Sequence, residues 1–350
     1  MKPHNWLLGL FGRTPRQKSG APRGRGPATH VIILDGTMSS LRDGHATNAG
    51  RTFKLLREAG RRANLTVYYE AGIQWPDWRH TWDVMTGRGL DQQIRRAYGV
   101  LASRYRAGDT IILMGYSRGA FAVRSLAGMV GRVGLLHHDH ATVSAVRTAF
   151  RHYQAGGTSD SARAFQRLMC HDRVEIEAVA VWDTVKALGW KRPFARTDRT
   201  GFHDQRLGDH VRHGFHALAL DERRHHYRPV MWDTASSVRA TVEQVWFRGS
   251  HGDVGGQVGA YPAARPLANI PLVWMLDRIA ARGVPLPPDW RDRYPCDVTA
   301  PALGQWRGWA RLFWFRGMRR ILCDPSERLH DSVTLPDGTA EPASRVRQSA

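Results

Sequence analysis

A doubly wound α/β fold, with a mostly parallel sheet and helical insertions over one edge, is what this 350-residue sequence predicts. Three observations predict it. Short apolar runs alternate with stretches of helical period, which is the pattern of βαβ units joined by right-handed crossovers. The runs at 30–35, 110–114 and 174–181 are apolar at successive positions toward their ends, as strands covered on both faces are. The run ending at Met114 then breaks into Gly115-Tyr116-Ser117-Arg118-Gly119, and a helical pattern resumes over 120–130. Strand, G-x-S-x-G, helix is the context of a nucleophile elbow, which holds Ser117 in a strained backbone turn at the C-terminal edge of the sheet. Gly115 and Gly119, lacking a Cβ, let strand and helix approach each other.

Composition narrows the field without choosing a function. A hydrophobic share of 42% supports a sizeable core in one large domain, and argues against global disorder. Three widely spaced cysteines, Cys170, Cys296 and Cys323, make neither a disulfide framework nor a CxxC metal pattern. Lys plus Arg number 51 against 31 Asp plus Glu, for a net charge of +20. Such a surface favours anionic partners such as lipid headgroups or an acidic protein, and no motif for specific nucleic-acid binding accompanies it. No apolar run reaches the roughly 18 residues of a spanning helix, and the Trp6–Phe11 patch lacks a cleavage site, so the expected location is cytoplasmic by default.

Taken in order, residues 1–29 carry six Lys/Arg and no acid and read as a disordered basic arm. Residues 30–335 read as the catalytic domain. Its first strand ends in Asp35-Gly36-Thr37, and the loop after it is where an N–H of Gly36, Thr37 or Met38 would complete an oxyanion hole with that of Arg118. Asp35 supports this loop. A helix over 48–60, a second strand over 65–69, a Trp- and Gly-bearing loop over 75–88 and a helix over 89–105 lead to the elbow strand. Two insertions follow, at about 137–173 and 190–212, the first with His137, His138 and His140 in what reads as a solvated loop rather than a metal site. The strand over 174–181 ends in Trp182-Asp183-Thr184, placing Asp183 where the acid of a Ser–Asp–His triad belongs, with helix capping as its alternative role. Residues 213–222 read as a helix with His216 structural. The last clear strand, 242–247, opens into Arg248-Gly249-Ser250-His251-Gly252-Asp253-Val254-Gly255-Gly256, a glycine-rich loop from which His251 can reach Ser117. Asp253 lies too near His251 in sequence to be its partner and is assigned a capping or bracing role. A packing helix over 267–281 follows. Residues 302–323 interleave aromatic residues with five arginines and no acid, as a lid or covering helix would. Residues 336–350 read as a disordered tail.

Five ordered blocks resemble one family. They are Leu34–Thr37, Gly115–Ala120, Val181–Val185, His216–Glu222 and Trp246–Gly256, and Leu329–Val333 adds to them. Together they resemble the catalytic domain of the first class of type VI secretion phospholipase effectors, an α/β-hydrolase domain shared with uncharacterised bacterial and fungal relatives. The resemblance covers roughly 30–335. It implies a hydrolase of phospholipid acyl esters without a cofactor, with Ser117 as nucleophile, Asp183 as acid and His251 as base. It also points to a secretion-system component or immunity protein as partner, with export by that system as the alternative to the cytoplasmic default, while the basic surface itself favours anionic membranes. The chain departs from the family at Met38-Ser39, where relatives carry a bulky residue and then Asn, and at Ser250 and Gly252, which flank the histidine. Two other readings stay open at this stage: a soluble carboxylesterase or thioesterase on small acyl substrates, and a non-catalytic membrane- or nucleic-acid-binding protein on a hydrolase scaffold.

Overall fold

The computed structural model describes residues 26–60, 64–72, 88–185, 206–234, 239–259, 261–304 and 316–333. The expected basic arm (apart from 26–29), the 75–87 loop, most of the 190–212 insertion, the middle of the expected lid and the tail lie outside these residues.

Seven strands form one sheet: β1 (Thr29–Leu34), β2 (Leu65–Glu70), β3 (Thr110–Tyr116), β4 (Ile176–Trp182), β5 (Val211–Ala219), β6 (Thr241–Phe247) and β7 (Glu327–Leu329), in the order β2-β1-β3-β4-β5-β6-β7. All six pairings are parallel. Strand order reverses between β1 and β3. In doubly wound sheets, ligands bind outside the carboxyl ends of the strands at such a reversal.

Period-two alternation sorts the strand residues onto two cores. Ile32, Leu34, Ile111 and Leu113 face helices α2 (Arg88–Arg104) and α3 (Arg118–Val133). Val31, Ile33, Ile112 and Met114 face α1 (Asn48–Ala59) and a later helix, α7 (Arg265–Ala280). The 137–173 segment supplies α4 (Val143–Gln154) and α5 (Asp160–Met169), begun by side-chain caps from Thr142 and Ser159. Val146, Ala149, Phe150 and Tyr153 of α4 join the core that α2 and α3 cover. No group of three or more His, Cys, Asp or Glu able to hold a metal ion occurs among the described residues, and no described helix is long and apolar enough to cross a membrane.

Two expectations are corrected. The 213–222 segment, expected as a helix, is strand β5 followed by a turn. Gly214 through Ala219 are all buried because the strand is covered on both faces, so its apolar run has no period to betray it. The described ends of the expected lid, 302–304 and 316–323, are not helical. Gly304 (φ 73°) and Leu322 (φ 57°) adopt left-handed backbone there, which a right-handed helix cannot contain. The chain then returns as β7, an edge strand of three residues on β6, too short for its pattern to be read.

Strand β3 and helix α3 meet β1 at van der Waals limits. A Cβ on Gly119 would lie 2.1 Å from the Leu34 carbonyl oxygen and 2.5 Å from that of Asp35. Gly119→Ala is therefore expected to cost about 1–3 kcal/mol through forced backbone shifts, read as a lowered urea midpoint. An unchanged midpoint would mean that the helix start is not clamped against β1.

Candidate active site

The elbow places Ser117 between β3 and α3 with φ 58° and ψ −122°, a conformation that L-residues adopt only under constraint. That constraint is visible on both sides. The Ser117 N–H donates to the Trp182 carbonyl at 3.0 Å, which ties the elbow to the tip of β4. On the other side Gly119 leaves no room for the helix to retreat.

The tip of β4 carries Asp183, also in left-handed backbone at φ 38°. Its N–H donates to Ala217 at 2.7 Å, so the side chain is turned across the carboxyl end of the sheet. Beyond β6, Ser250 and Asp253 form a capping box that starts the short helix α6 (His251–Gly255). His251 is thus the first residue of a capped helical turn and not part of a free glycine-rich loop. Asp253 accepts from Ser250 N–H and Oγ–H, both at 2.8 Å, and from Leu303 N–H at 2.6 Å, so it braces the turn without touching the imidazole.

These three elements bring their side chains together. His251 Nε2 lies 2.9 Å from Ser117 Oγ and Nδ1 lies 2.6 Å from Asp183 Oδ2. Ser117 is 7% exposed, His251 4% and Asp183 0%. Tyr116 stacks on the imidazole at 4.9 Å between centroids, and its hydroxyl donates to the His251 carbonyl at 3.2 Å. Tyr227 packs against the same imidazole, tilted at 59°, with 4.8 Å between centroids. The His251 N–H donates to Glu222 Oε2, a buried carboxylate held by Arg224 through two charge-assisted bonds of 2.6 and 2.8 Å.

Burial by itself would raise the Asp183 carboxyl. The guanidinium of Arg319 and the ring of His251 outweigh it and hold the group well below the usual carboxylate range. His216, on β5 behind the site, is fully buried, and its Nε2 accepts the Thr184 N–H at 3.1 Å. Burial, aided by the charge of Arg124, pushes its imidazole down to about 3, so it stays neutral and acts as an acceptor for the Thr184 N–H.

The loop after β1 lies against Ser117: a Cβ on Gly36 would come 3.2 Å from that of Ser117. Its N–H donors are not equivalent. Gly36 N–H is turned onto Asp35 Oδ1 at 2.7 Å, so it is engaged within its own loop. The physical reason is that Asp35, wholly buried, needs donors, and Thr47 Oγ and Tyr69 OH supply two more at 2.6 and 2.7 Å. Burial still pushes the Asp35 carboxyl up to about 6. Thr37 and Met38 follow in the same loop. The Thr37 carbonyl accepts from Gln257 at 3.0 Å, and Met38 sits at φ 59°. Arg118 N–H stands at the first position of α3.

Four residues that shape the site had no role in the sequence reading. Glu222 lies inside a block that carries the family resemblance, so a signal for it existed. Tyr116 likewise lies inside such a block, at the second position of the elbow motif, and Tyr227 carries no signal beyond being an aromatic residue. Arg319 carries none, being one of five arginines in a basic stretch.

The pH sign follows for His216. Below the ordinary imidazole value near 6.5 the unfolded chain takes up a proton that the folded chain refuses until about 3. Its contribution to stability is full above about 6.5 and falls as pH drops, by at most about 1.4 kcal/mol per pH unit. His216→Gln, whose amide oxygen can still accept from Thr184, is expected to remove one proton's worth of that slope in urea melts taken from neutral pH toward pH 4. An unaltered slope would mean that His216 is not held neutral.

The family model described as "T6SS, Phospholipase effector Tle1-like, catalytic domain" matches residues 29–278. An uncharacterised protein of Saccharomyces cerevisiae, YEL023C, is 29% identical over 250 residues, covering 61% of this chain and 35% of its own. Among solved structures, an uncharacterised protein from Pseudomonas aeruginosa aligns at 16% identity with a TM-score of 0.43, over 79% of this chain and 52% of that one. The Tle1 effector bound to the VgrG spike of the type 6 secretion system aligns at 16% identity and a TM-score of 0.38, over 73% and 56%. The chain spans about a third of the yeast relative and about half of each of these two solved chains.

Proposed function

The chain belongs to the Tle1-like catalytic-domain family of type VI secretion phospholipase effectors, and on that premise we propose that it is a serine hydrolase of lipid acyl esters. One observation carries the reading. His251 bridges Ser117 Oγ and Asp183 Oδ2 at hydrogen-bond distances, in the chain order Ser, Asp, His of α/β hydrolases.

In this mechanism Ser117 Oγ attacks the ester carbonyl carbon while His251 Nε2 takes its proton. The negative charge that develops on the carbonyl oxygen is met by N–H groups of Arg118 and of Thr37 or Met38, fixed beforehand by the elbow and by the Asp35 network. Collapse of the tetrahedral intermediate breaks the acyl–oxygen bond. His251 hands its proton to the departing alcohol and the acyl group stays on Ser117. Water, deprotonated by His251, then attacks the acyl-enzyme, and the fatty acid leaves as Ser117 recovers its proton. Asp183 holds the Nδ1–H tautomer throughout and offsets the imidazolium charge.

The net charge of +20 favours substrate presented on anionic bilayers, with each well-placed basic residue worth about 1 kcal/mol near the surface. Docking to a secretion component, or inhibition by an immunity protein, belongs to the same proposal.

The test is labelling with a fluorophosphonate together with fatty-acid release from anionic phospholipid vesicles, wild type beside Ser117→Ala. Ser117→Ala is expected to keep its melting transition, lose labelling, and lose roughly 10^3-fold or more of the acyl release. Labelling of Ser117 with turnover of short soluble esters but not of vesicles would move the substrate to small acyl compounds. A folded wild type that is not labelled would refute the nucleophile.

A further inference from the structure

The Asp183 carboxylate has a second partner that the triad does not require. Arg319 reaches it from the segment after residue 315 and grips both oxygens, Nη1 to Oδ1 at 2.6 Å and Nη2 to Oδ2 at 2.9 Å. Oδ2 is also the oxygen that accepts from His251 Nδ1, and Oδ1 accepts the Ala219 N–H at 3.1 Å. The same guanidinium donates to the Ala219 carbonyl at 2.8 Å and to the Tyr227 carbonyl. Its side chain is 4% exposed. This is a buried, planar, two-point contact, the geometry that arginine supplies and lysine does not.

The mount is rigid on both sides. Gly317 N–H donates to the Arg223 carbonyl at 2.8 Å. Leu322, Cys323 and Asp324 N–H groups all donate to the Glu327 carboxylate, at 2.7, 3.2 and 3.0 Å, and Glu327 also accepts from Trp246 Nε1. Arg319 is therefore strapped to the ends of β6 and β7 and not carried on a free loop.

We propose that Arg319 is a positioning residue that fixes the Asp183 carboxylate in the triad and tempers how strongly that carboxylate draws a proton onto His251. The inference rests on the serine-hydrolase reading of the same site. Two effects follow from the geometry. Held at both oxygens, Asp183 cannot rotate away from Nδ1 when the imidazole moves between Ser117 and the leaving group. With its charge already matched by a guanidinium, Asp183 stabilises the imidazolium less than an unpaired carboxylate would, which leaves His251 a better general acid in the step that expels the alcohol.

The other groups facing Asp183 do not duplicate this. His216 on β5 is neutral, and Tyr116 on β3 has its hydroxyl on the His251 carbonyl, held protonated by burial and by nearby Tyr227, Asp183 and Asp35. Glu222 is matched by Arg224, and it meets the His251 backbone and not its ring. Arg124 on α3 stacks on Trp232 and donates to the Val230 and Met231 carbonyls.

The experiment compares the full-length wild type with Arg319→Gln and Arg319→Lys on a short-chain p-nitrophenyl ester, with kcat and KM measured across pH and active sites counted by fluorophosphonate titration. Arg319→Gln is expected to lower kcat per active site by about 10- to 100-fold with KM within about twofold. It should also move the acidic limb of the kcat/KM profile to higher pH by roughly one unit. Arg319→Lys keeps the charge without the two-point grip, so its kcat should fall by about tenfold while the limb stays near that of the wild type. Wild-type kcat per active site in Arg319→Gln, or a loss explained wholly by fewer folded molecules with an unmoved limb, overturns the proposal. If Arg319→Gln does not fold, Arg319→Lys decides: an unchanged kcat overturns the role and the expected fall supports it. A folded wild type that neither labels nor turns over would instead refute the hydrolase reading, and the role of Arg319 with it.

Discussion

Much of this structure depends on how a carboxylate can be ionised with no contact with water. Asp183 is wholly buried at the tip of a central strand, and its desolvation cost is large unless every lone pair finds a donor. Four donor groups converge on it: His251 Nδ1, the two Nη of Arg319 and the Ala219 N–H. They come from α6, the strap before β7 and the end of β5. Each of these elements is placed by the parallel register of β4 through β7. The strained backbone of Asp183 is what aims the carboxylate at all of them at once.

The opposite half of the site obeys a different limit, that of close approach. The order reversal between β1 and β3 puts the loop after β1 beside the elbow, and Gly119 allows α3 to start against the Leu34 and Asp35 carbonyls. Gly72 does the same from the side of β2, since a Cβ there would meet the Gly36 carbonyl at 2.1 Å. Asp35 then ties this loop to the cap of α1 through Thr47 and to β2 through Tyr69. The loop after β1 is thus pinned beside Ser117 by the packing of a second buried carboxylate.

The two halves meet at His251, which is fixed by its surroundings as much as by its triad contacts. Tyr116 and Tyr227 pack against the ring, Glu222 and Ser250 set the first turn of α6, and Gln257 links that helix back to Thr37. A histidine held this way keeps Nδ1 toward one carboxylate and Nε2 toward one hydroxyl without searching rotamers.

What the sequence determined by itself was local or periodic. The strands at 29–34, 110–116 and 176–182, the elbow glycines, the helix that follows and the strand-tip position of Asp183 all leave a signature within about ten residues, because backbone sterics and side-chain alternation act at that range. Strand β5 did not, since a strand covered on both faces loses the alternation that separates it from a helix. Strand β7 did not, since three residues have no period. Only the tertiary structure decided that Gly36 turns its N–H onto Asp35, that Glu222 anchors the backbone of His251, and that Arg319, 136 residues beyond Asp183, is the counter-charge of that carboxylate. Burial and charge pairing over such separations are settled by which chain segments share a sheet edge, and that is a property of the packed sheet and not of any stretch of the chain.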